Sequence, residues 1–208
     1  MSSVTIIGVA GRRKVGKDTF VGAISQELPC SVAVHSKRFA GPLKRACKEL
    51  WDLSDEQIDG SLKETVDPRW GVTPRQIMQH MGTEHGRHLF PDVHIKRLQF
   101  EIAKVKVPAF VLVTDLRFRN EFDALVQMGA RTVLLEREGF VYGEGETHPS
   151  ETDLLPYLDR FDFKVRNDEG KDAWNKFARL ILEGLGVYQE ITKQMNIEEY
   201  IRENSEAS

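Results

Sequence analysis

The segment Gly8–Phe20, GVAGRRKVGKDTF, decides the fold. Within it, Gly11 and Gly16 enclose four residues, and Lys17 follows directly. The run VTIIGVA, which leads into this segment, is continuously apolar and rich in β-branched residues, as is typical of a strand buried on both faces of a parallel sheet. The letters DTFVGAISQEL that follow the lysine predict a helix. A glycine-spaced loop with a lysine between a buried strand and a helix predicts a phosphate-binding site.

The residues of this loop suit the binding of a polyphosphate. Gly11 and Gly16 permit backbone angles that a side chain would forbid, so successive N–H groups can face an anion. Lys17, which we expect to be exposed, would reach the β- and γ-phosphates from a helix start that is itself positive. Asp18 stands where a serine or threonine usually follows the lysine, and its carboxylate is also a hard oxygen ligand for Mg²⁺, with the Thr19 hydroxyl nearby. The plain alternatives are a tight turn that contains a lysine and an aspartate that complements a helix dipole.

Strands and helices alternate along the rest of the chain. Further strands are predicted at 31–36, 108–115, 131–138 and 161–168, and further helices at 41–53, 73–82, 92–106, 120–130 and 171–185. Ser54 with Gln57 and Thr73 with Gln76 have the spacing of capping boxes. The alternation predicts an α/β fold with a doubly wound parallel sheet. Two segments, 59–73 and 138–152, interrupt the pattern and suggest either surface loops or lids.

Composition limits the classes of function. The sequence has 208 residues, of which 40% are hydrophobic and 29% charged, which suits a single globular domain. A formal net charge of -3 and an isoelectric point near 6.1 argue against a protein that coats nucleic acid, so we expect no nucleic-acid partner. No apolar stretch is long enough to cross a bilayer, so we expect no membrane partner. Cys30 and Cys47 lack metal-ligand spacing, which predicts reduced thiols in a cytoplasmic protein.

Several blocks of the sequence resemble one known family. GRRKVGKDTF resembles the loop of bacteriophage deoxynucleoside monophosphate kinases, a P-loop family in which the lysine is followed by aspartate. FAGPLK, TPRQIMQHMGTEHGR, TDLRFRNEFDALVQMGA and THPSETDL follow in the same order, so the likeness runs to about Asp168. It implies a P-loop NTPase fold of the nucleoside-monophosphate-kinase type and transfer of the ATP γ-phosphate to a dNMP, giving dNDP and ADP, with Mg²⁺.

The resemblance also implies an organisation for the chain. It assigns a mobile monophosphate-binding segment to about 38–105, a lid to about 137–153 and a helical tail to about 186–208 of one kinase domain, residues 1–208. It leaves a homodimer open. If the gene is a phage gene, the setting would be the cytoplasm of the host bacterium.

The chemistry of such a transfer favours arginines and a metal ion. The acceptor phosphate, with a second pKa of about 6, is its own nucleophile, and the protein has to stabilise the charge of two polyanions. The predicted catalytic residues are Lys17, Asp115, Arg117 and Arg137. The predicted ATP contacts are Gly11, Lys14, Val15, Gly16, Lys17, Asp18, Thr19 and Asn167. The predicted dNMP contacts are Arg13, Lys37, Phe39, Arg75, Gln79, Gly82, Thr83, Arg87, His94, Arg117 and Glu121. The predicted metal ligands are Asp18 and Asp115.

Asp115 and Arg117 follow the apolar run PAFVLVTD, at the carboxyl end of a predicted central strand, where ligands bind in open α/β sheets. Asp115 is interpreted as a direct or water-mediated contact of the metal, or else as an N-cap. Arg117 is interpreted as a contact of the acceptor or γ-phosphate, or else as a surface arginine or an ion partner of Glu121. Arg137, at the start of the second irregular segment, is interpreted as the lid arginine, because lid closure excludes water.

The helix that begins after Thr73 would place Arg75, Gln79 and Thr83 on one face, since they are spaced by four residues. That face suits a substrate or plain solvent, and the family resemblance favours the substrate. His94 falls where the family often has an aromatic residue, which leaves base stacking there in doubt. Phe39 would pack on a base or in the core.

Three rival functions remain. A loop with Gly-Lys-Asp also resembles phosphomevalonate kinase, another P-loop small-molecule kinase. An NTP-dependent regulatory or nucleic-acid-handling module is disfavoured by the acidic composition. A nucleotide-binding scaffold without catalysis is disfavoured because Lys17, Asp18, Asp115 and Arg117 are all present. The block at His148, Ser150 and Glu151 resembles the family but receives no role.

Overall fold

The computed structural model describes residues 4–29, 32–144, 148–170 and 173–187. Cys30, part of the predicted lid and nearly all of the predicted tail at 186–208 lie outside the described residues. The chain divides into two compact units. We call Lys37–Lys104 the helical unit, and the remainder the sheet unit. The bounds of the helical unit lie within one residue of the segment at about 38–105, for which the family resemblance implies monophosphate binding, and that role stays a prediction.

A single sheet of five strands organises the sheet unit. Its strands are β1 (Val4–Gly11), β2 (Ala33–Lys37), β3 (Ala109–Val113), β4 (Arg131–Glu136) and β5 (Phe163–Arg166). Their order is β2-β3-β1-β4-β5. β1 pairs in parallel with β3, where Ile6 lies opposite Val111, and with β4, where Val9 lies opposite Val133. Since the chain places β2 and β3 on one side of β1 and then β4 and β5 on the other, the loop after β1 lies where a doubly wound sheet binds its ligands.

Helices pack on both faces of this sheet. The helices of the sheet unit are α1 (Lys17–Glu27), α6 (Arg119–Gln127), α7 (Pro149–Thr152) and α8 (Ala173–Gly184), with a 3-10 helix at Leu155–Arg160. Alternate strand residues form one core cluster with α1 and α8, namely Ile7, Val9, Phe110, Leu112, Val133, Leu135 and Val165. On the other face α6 approaches β1 so closely that a Cβ at Gly8 would lie 2.7 Å from Leu125 Cδ1. The structure therefore confirms the predicted α/β, doubly wound architecture.

The helical unit contains α2 (Gly41–Leu50), α3 (Asp55–Ile58), α4 (Pro74–Gln79) and α5 (Val93–Ile102), a 3-10 helix at Ser61–Glu64 and a π-helix at His80–Arg87. Both predicted capping boxes are present, at the starts of α3 and α4. The buried side chains Cys47, Leu53, Ile58, Ile77 and Met78 form its core. No helix in the described ranges is long and apolar enough to span a bilayer.

The irregular segment 59–73 is organised around one carboxylate. Asp67 is only 3% exposed and accepts hydrogen bonds from Arg69 N at 2.9 Å, Arg69 Nη2 at 2.8 Å and Gln57 Nε2 at 2.7 Å. The hydrogen bonds from Arg69 hold the pKa of Asp67 well below its usual range. Trp70 Nε1 donates to Trp51 O at 3.1 Å, and the Trp70 ring packs edge-on against the Trp51 ring. The segment thus has a defined turn structure within the helical unit.

Candidate active site

The loop between β1 and α1 adopts backbone angles for which glycine is suited. Gly11 has a φ of 150° and Gly16 a φ of 112°, values that L side chains rarely adopt. Lys14 has a φ of 65°, which is uncommon for a residue with a side chain. Val15 N donates to Arg12 O at 3.2 Å and closes the turn. The strand, glycine loop and helix that the sequence predicts are therefore all present.

The ring of Trp174 in α8 packs closely against this loop at Gly16. A Cβ at Gly16 would lie 3.0 Å from Trp174 Cζ2, so the backbone can approach the ring only because the residue is glycine. Trp174 is 3% exposed and packs edge-on against Phe20 of α1 and against Phe177. The loop thus rests on an aromatic cluster that joins the first and last helices of the sheet unit.

The side chain of Lys17 folds back over the loop. Its Nζ donates to Gly11 O at 2.7 Å and to Arg12 O at 2.8 Å, and the contact is partly buried. Burial lowers the pKa of Lys17 to about 8, and the positive charge of Arg117 acts in the same direction. The expectation of an exposed lysine is therefore wrong, because the loop carbonyls enclose the ammonium group.

Three carboxylates act on the same ammonium. The negative charges of Glu151, Asp18 and Asp115 each raise the pKa of Lys17, in opposition to burial. Asp18 belongs to the first turn of α1, Asp115 follows β3, and Glu151 belongs to α7. Since the carboxyl ends of parallel strands meet at one edge of a sheet, residues far apart in the chain converge there. The charges of Asp18, Asp115 and Arg117 thus all influence the Lys17 ammonium, and the catalytic roles of these four residues stay predictions.

Asp18 and Asp115 are suitable ligands for a magnesium ion. Mg²⁺ is bound in proteins by one or two carboxylates, while waters and substrate phosphates supply its other ligands. Within the described part of the chain, no group of three or more His, Cys, Asp or Glu side chains could hold a metal ion by itself. Asp18 and Asp115 could therefore supply carboxylate oxygens to Mg²⁺.

Arg117 is held by α7. Its Nη1 donates to Ser150 O at 3.2 Å and to the carboxylate of Glu151, which is 8% exposed. Glu121 binds the backbone at Arg117 and not its side chain. Its Oε2 accepts hydrogen bonds from the backbone N–H groups of Arg117 at 3.0 Å and Phe118 at 3.2 Å. Glu121 is 2% exposed, so it caps the start of α6 and does not offer a surface to a substrate.

Arg137, which follows β4, lies against the glycine loop. Its Nη2 donates to Lys14 O at 2.8 Å, and its guanidinium lies 4.0 Å from the centre of the Phe140 ring. A second contact of the same kind joins Arg12 Nη1 to Gly139 O at 3.2 Å. The first residues of the predicted lid are thus in contact with the predicted ATP loop.

Asn167, predicted to contact adenine, forms a turn of its own. Its side chain donates to Gly170 O at 2.8 Å and accepts from Glu169 N at 3.0 Å, and its backbone N–H donates to Glu136 O at 2.9 Å. Because the residue is 3% exposed, its side-chain amide shapes the loop after β5. A contact with a base would have to come from the backbone of this loop.

Within the helical unit, two of the predicted dNMP residues have carboxylate partners and a third is buried. Lys37 Nζ lies 3.8 Å from Glu101 Oε2, and Arg75 Nε donates to Glu64 Oε1 at 2.6 Å. Phe39 is 2% exposed, which is the core role that the sequence left open, and its ring is not available for stacking on a base.

The helix that carries the remaining predicted residues is not a continuous α-helix. α4 ends at Gln79, and the chain continues as the π-helix His80–Arg87, so the predicted helix through Gly82 is present but changes its type after Gln79. Gly82 is buried against Leu43. The sequence gives no warning of this change because local patterns do not distinguish i+4 from i+5 hydrogen bonding. Partly exposed side chains remain along the helix at Arg75, Gln79, Thr83 and Arg87.

His94 of α5 contacts the same helix. Its Nε2 lies 3.4 Å from Gly82 O, so the imidazole is near the π-helix backbone.

Glu151 is the site residue that sequence reasoning missed. The block THPSETDL was the available signal, but nothing in its spacing indicates which cation a glutamate there would meet. The contact between α7 and the segment after β3 identifies Arg117 as the partner of Glu151.

Comparison with known proteins places the chain in a family. It is 38% identical over 165 residues, 73% of this chain and 82% of the relative, to a protein of Acanthamoeba polyphaga mimivirus named "Putative deoxynucleotide monophosphate kinase". No protein-family model matches the chain.

The solved structures to which the chain is similar are much more distant in sequence. The shikimate kinase of Aquifex aeolicus has 15% identity and a TM-score of 0.45, with 88% of this chain and 99% of that one covered. The shikimate kinase of Acinetobacter baumannii has 13% identity and a TM-score of 0.47, with 90% and 96% covered. The dephospho-CoA kinase of Campylobacter jejuni has 14% identity and a TM-score of 0.43, with 93% and 99% covered. Likeness at this level says nothing about the substrate of this chain.

The viral relative is similar over most of its own length, so a shared short motif does not explain the match. The chain belongs to the deoxynucleotide monophosphate kinase family.

Proposed function

We propose that this protein is an ATP-dependent deoxynucleoside monophosphate kinase, which transfers the γ-phosphate of ATP to a dNMP and releases dNDP and ADP. The observation that carries the proposal is the surroundings of Lys17. The ammonium lies on a glycine loop at the start of a helix, and the charges of Asp18, Asp115 and Arg117 all act on it. A cation, two metal-binding carboxylates and an arginine are the groups that phosphoryl transfer between two polyanions requires.

The sheet unit would bind the donor nucleotide. Its loop amides, with Gly11, Val15 and Gly16 shaping the turn, would surround the phosphates of ATP, and Lys14 and Thr19 would add contacts. Arg137 would stabilise charge on the transferred group, and the loop at Asn167 would contact adenine through its backbone. Mg²⁺, held by Asp18 and Asp115, would neutralise charge on the donor phosphates when bound.

The acceptor would be bound through cationic and polar side chains. Arg13 and Arg117 would contact phosphate. The other predicted acceptor contacts that we keep are partly exposed side chains, namely Lys37, Arg75, Gln79, Thr83, Arg87 and His94. Burial of Phe39, Gly82 and Glu121 favours packing and capping roles for these three. No general base is required, because the acceptor phosphate is largely dianionic at neutral pH.

A kinase for free nucleotides fits a cytoplasmic setting, which would be that of an infected bacterium if the gene is a phage gene. The proposal includes no nucleic-acid or membrane partner, and it allows a homodimer. Movement of the segments at about 38–105 and 137–153 during the reaction belongs to the same proposal.

The test is a panel of substrates. Purified protein with ATP and Mg²⁺ is offered all common dNMPs and NMPs, and phosphomevalonate, and the formation of ADP and of a diphosphate product is measured. We expect at least one dNMP to be phosphorylated and phosphomevalonate to be inert. Lys17→Met is the control that should abolish transfer. A protein that phosphorylates no dNMP, or a Lys17→Met variant with normal turnover, would refute the proposal.

A further inference from the structure

Arg117 presents one side of its guanidinium to the protein and leaves the other available. Both hydrogen bonds of its side chain come from Nη1, to Ser150 O at 3.2 Å and to Glu151. Among the described residues, none accepts a hydrogen bond from its Nε or Nη2. The side chain is 29% exposed. The Nε–Nη2 edge is one of the two edges with which an arginine binds phosphate in a bidentate manner.

Glu151 is itself held in place by hydrogen bonds within α7. It lies in α7, whose start is capped by His148, because His148 Nδ1 accepts from Ser150 N at 3.2 Å. Glu151 N donates to His148 O at 2.9 Å, and Thr152 Oγ1 donates to the same carbonyl at 3.2 Å. Glu151 is only 8% exposed, so burial limits the partners that its carboxylate can reach and favours the contact with Arg117.

A second pair joins the same two segments nearby. Asp153 Oδ2 accepts from Arg119 N at 2.7 Å, and Asp153 Oδ1 accepts from Arg119 Nε at 3.1 Å. The Arg119 side chain is 53% exposed. The charges of Arg117 and Glu151 are among the main influences on the pKa of Lys17. The pair at Arg119 therefore docks α7, while the pair at Arg117 also belongs to the surroundings of the loop lysine.

We infer that Glu151 is a positioning residue for phosphoryl transfer: it binds Nη1 of the Arg117 guanidinium so that the Nε–Nη2 edge is oriented to take a phosphate oxygen pair. This inference rests on the proposed function for the identity of the reaction. Glu151 does not touch the reacting groups and acts through Arg117.

The sign of one binding measurement separates positioning from a simple effect of charge. If Glu151 acted only through its negative charge, its neutralisation would strengthen the binding of any polyanion, because one repulsive group is removed. If Glu151 positions Arg117, the same neutralisation weakens binding, because the arginine loses its orientation. Tripolyphosphate, without metal, is a suitable probe because it offers phosphate groups and no nucleoside.

The experiment compares wild type with Glu151→Gln, Glu151→Ala, Arg117→Ala and the double variant Glu151→Gln/Arg117→Ala. Tripolyphosphate affinity is measured by titration calorimetry, and kcat and KM are measured with ATP, Mg²⁺ and the preferred dNMP. We expect weaker tripolyphosphate binding in the order wild type, Glu151→Gln, Glu151→Ala, because glutamine keeps an acceptor oxygen but loses the charge. We expect kcat to fall about 10- to 100-fold in Glu151→Ala. In the Arg117→Ala background, Glu151→Gln should no longer weaken tripolyphosphate binding or lower kcat.

Asp153→Asn is the matched control for the docking of α7. It removes the neighbouring ion pair and should lower thermal stability without changing kcat or tripolyphosphate binding. Tighter tripolyphosphate binding in Glu151→Gln, additive effects in the double variant, or an equal loss of kcat in Asp153→Asn would each overturn the inference. Should Glu151→Ala fail to fold, Glu151→Gln decides the question. A wild-type protein that binds tripolyphosphate but phosphorylates no dNMP would refute the proposed function and leave the binding series to decide the role of Glu151.

Discussion

Replacement of Gly16 by alanine should destabilise the protein strongly, and replacement of Gly22 should not. Gly16 has a φ of 112°, and a Cβ there would lie 3.0 to 3.2 Å from three atoms of the Trp174 ring. At Gly22, in the helix α1 that follows Gly16, a Cβ would meet nothing within 4 Å. The two substitutions add the same methyl group to positions six residues apart, so they differ only in backbone strain and in available space.

The expected cost of Gly16→Ala has two parts. A side chain in this region of φ costs about 1–3 kcal/mol. Ordinary carbon contacts lie at about 3.5–4.0 Å, so either the ring or the loop has to move by several tenths of an ångström. Trp174 is 3% exposed and packed against Phe20 and Phe177, so this movement resembles overpacking, which costs about 1–3 kcal/mol. The sum is about 2–6 kcal/mol, whereas Gly22→Ala should add about 0.5–1 kcal/mol of stability, because alanine is the better helix former.

Urea unfolding followed by circular dichroism measures these differences. Trp174→Phe provides the mechanistic control, since the smaller ring relieves the contact but not the backbone strain. The penalty of Gly16→Ala should therefore be smaller in the Trp174→Phe background, by about 1 kcal/mol or more. A Gly16→Ala variant as stable as wild type, or a penalty that is the same in both backgrounds, would refute the reasoning about the loop.

Two further predictions concern the loop charges. Lys17→Met should raise the free energy of unfolding at pH 7, by at most about 3 kcal/mol, because burial lowers the lysine pKa from 10.5 to about 8 and the charged form is disfavoured in the folded protein. The cost of burying the charged lysine is present in full below pH 8 and disappears as the pH rises to 10.5. Urea unfolding should therefore show that the stability advantage of Lys17→Met decreases over that interval. A variant less stable than wild type at pH 7 would contradict this prediction. Asp18→Asn should raise the magnesium concentration that gives half-maximal transfer by about tenfold or more, since an amide is a weaker ligand than a carboxylate. An unchanged magnesium titration would leave Asp18 only a role in complementing the start of α1.

Several elements of the site were predictable because their signals are local. The turn needs Gly11 and Gly16 for backbone reasons that involve only neighbouring residues, and both have positive φ. The capping boxes at Ser54 and Thr73 were predictable for the same reason, since each involves residues three apart. The position of Asp115 followed from the apolar run that ends beside it.

Other elements depended on contacts that no local pattern reveals. The segment 59–73 suggested a loop or lid, yet the nearly buried Asp67 organises it through Arg69 and Gln57. Lys17 looked like an exposed loop residue, yet two carbonyls of its own loop enclose its ammonium. In both cases the charged side chain found partners that its spacing in the sequence does not identify.

The sequence by itself determined that a buried strand leads into a glycine loop and a helix, because hydrophobic periodicity and glycine placement act over a few residues. Only the tertiary structure decided that Arg117 meets Glu151, that Arg137 meets Lys14 and that Trp174 supports the loop. The physical reason is that these pairs depend on strand order and on which helix covers which face of the sheet. These long-range contacts depend on the packing of the whole chain. The partner of a charged residue is determined only when the strands and helices that carry the two residues have become neighbours.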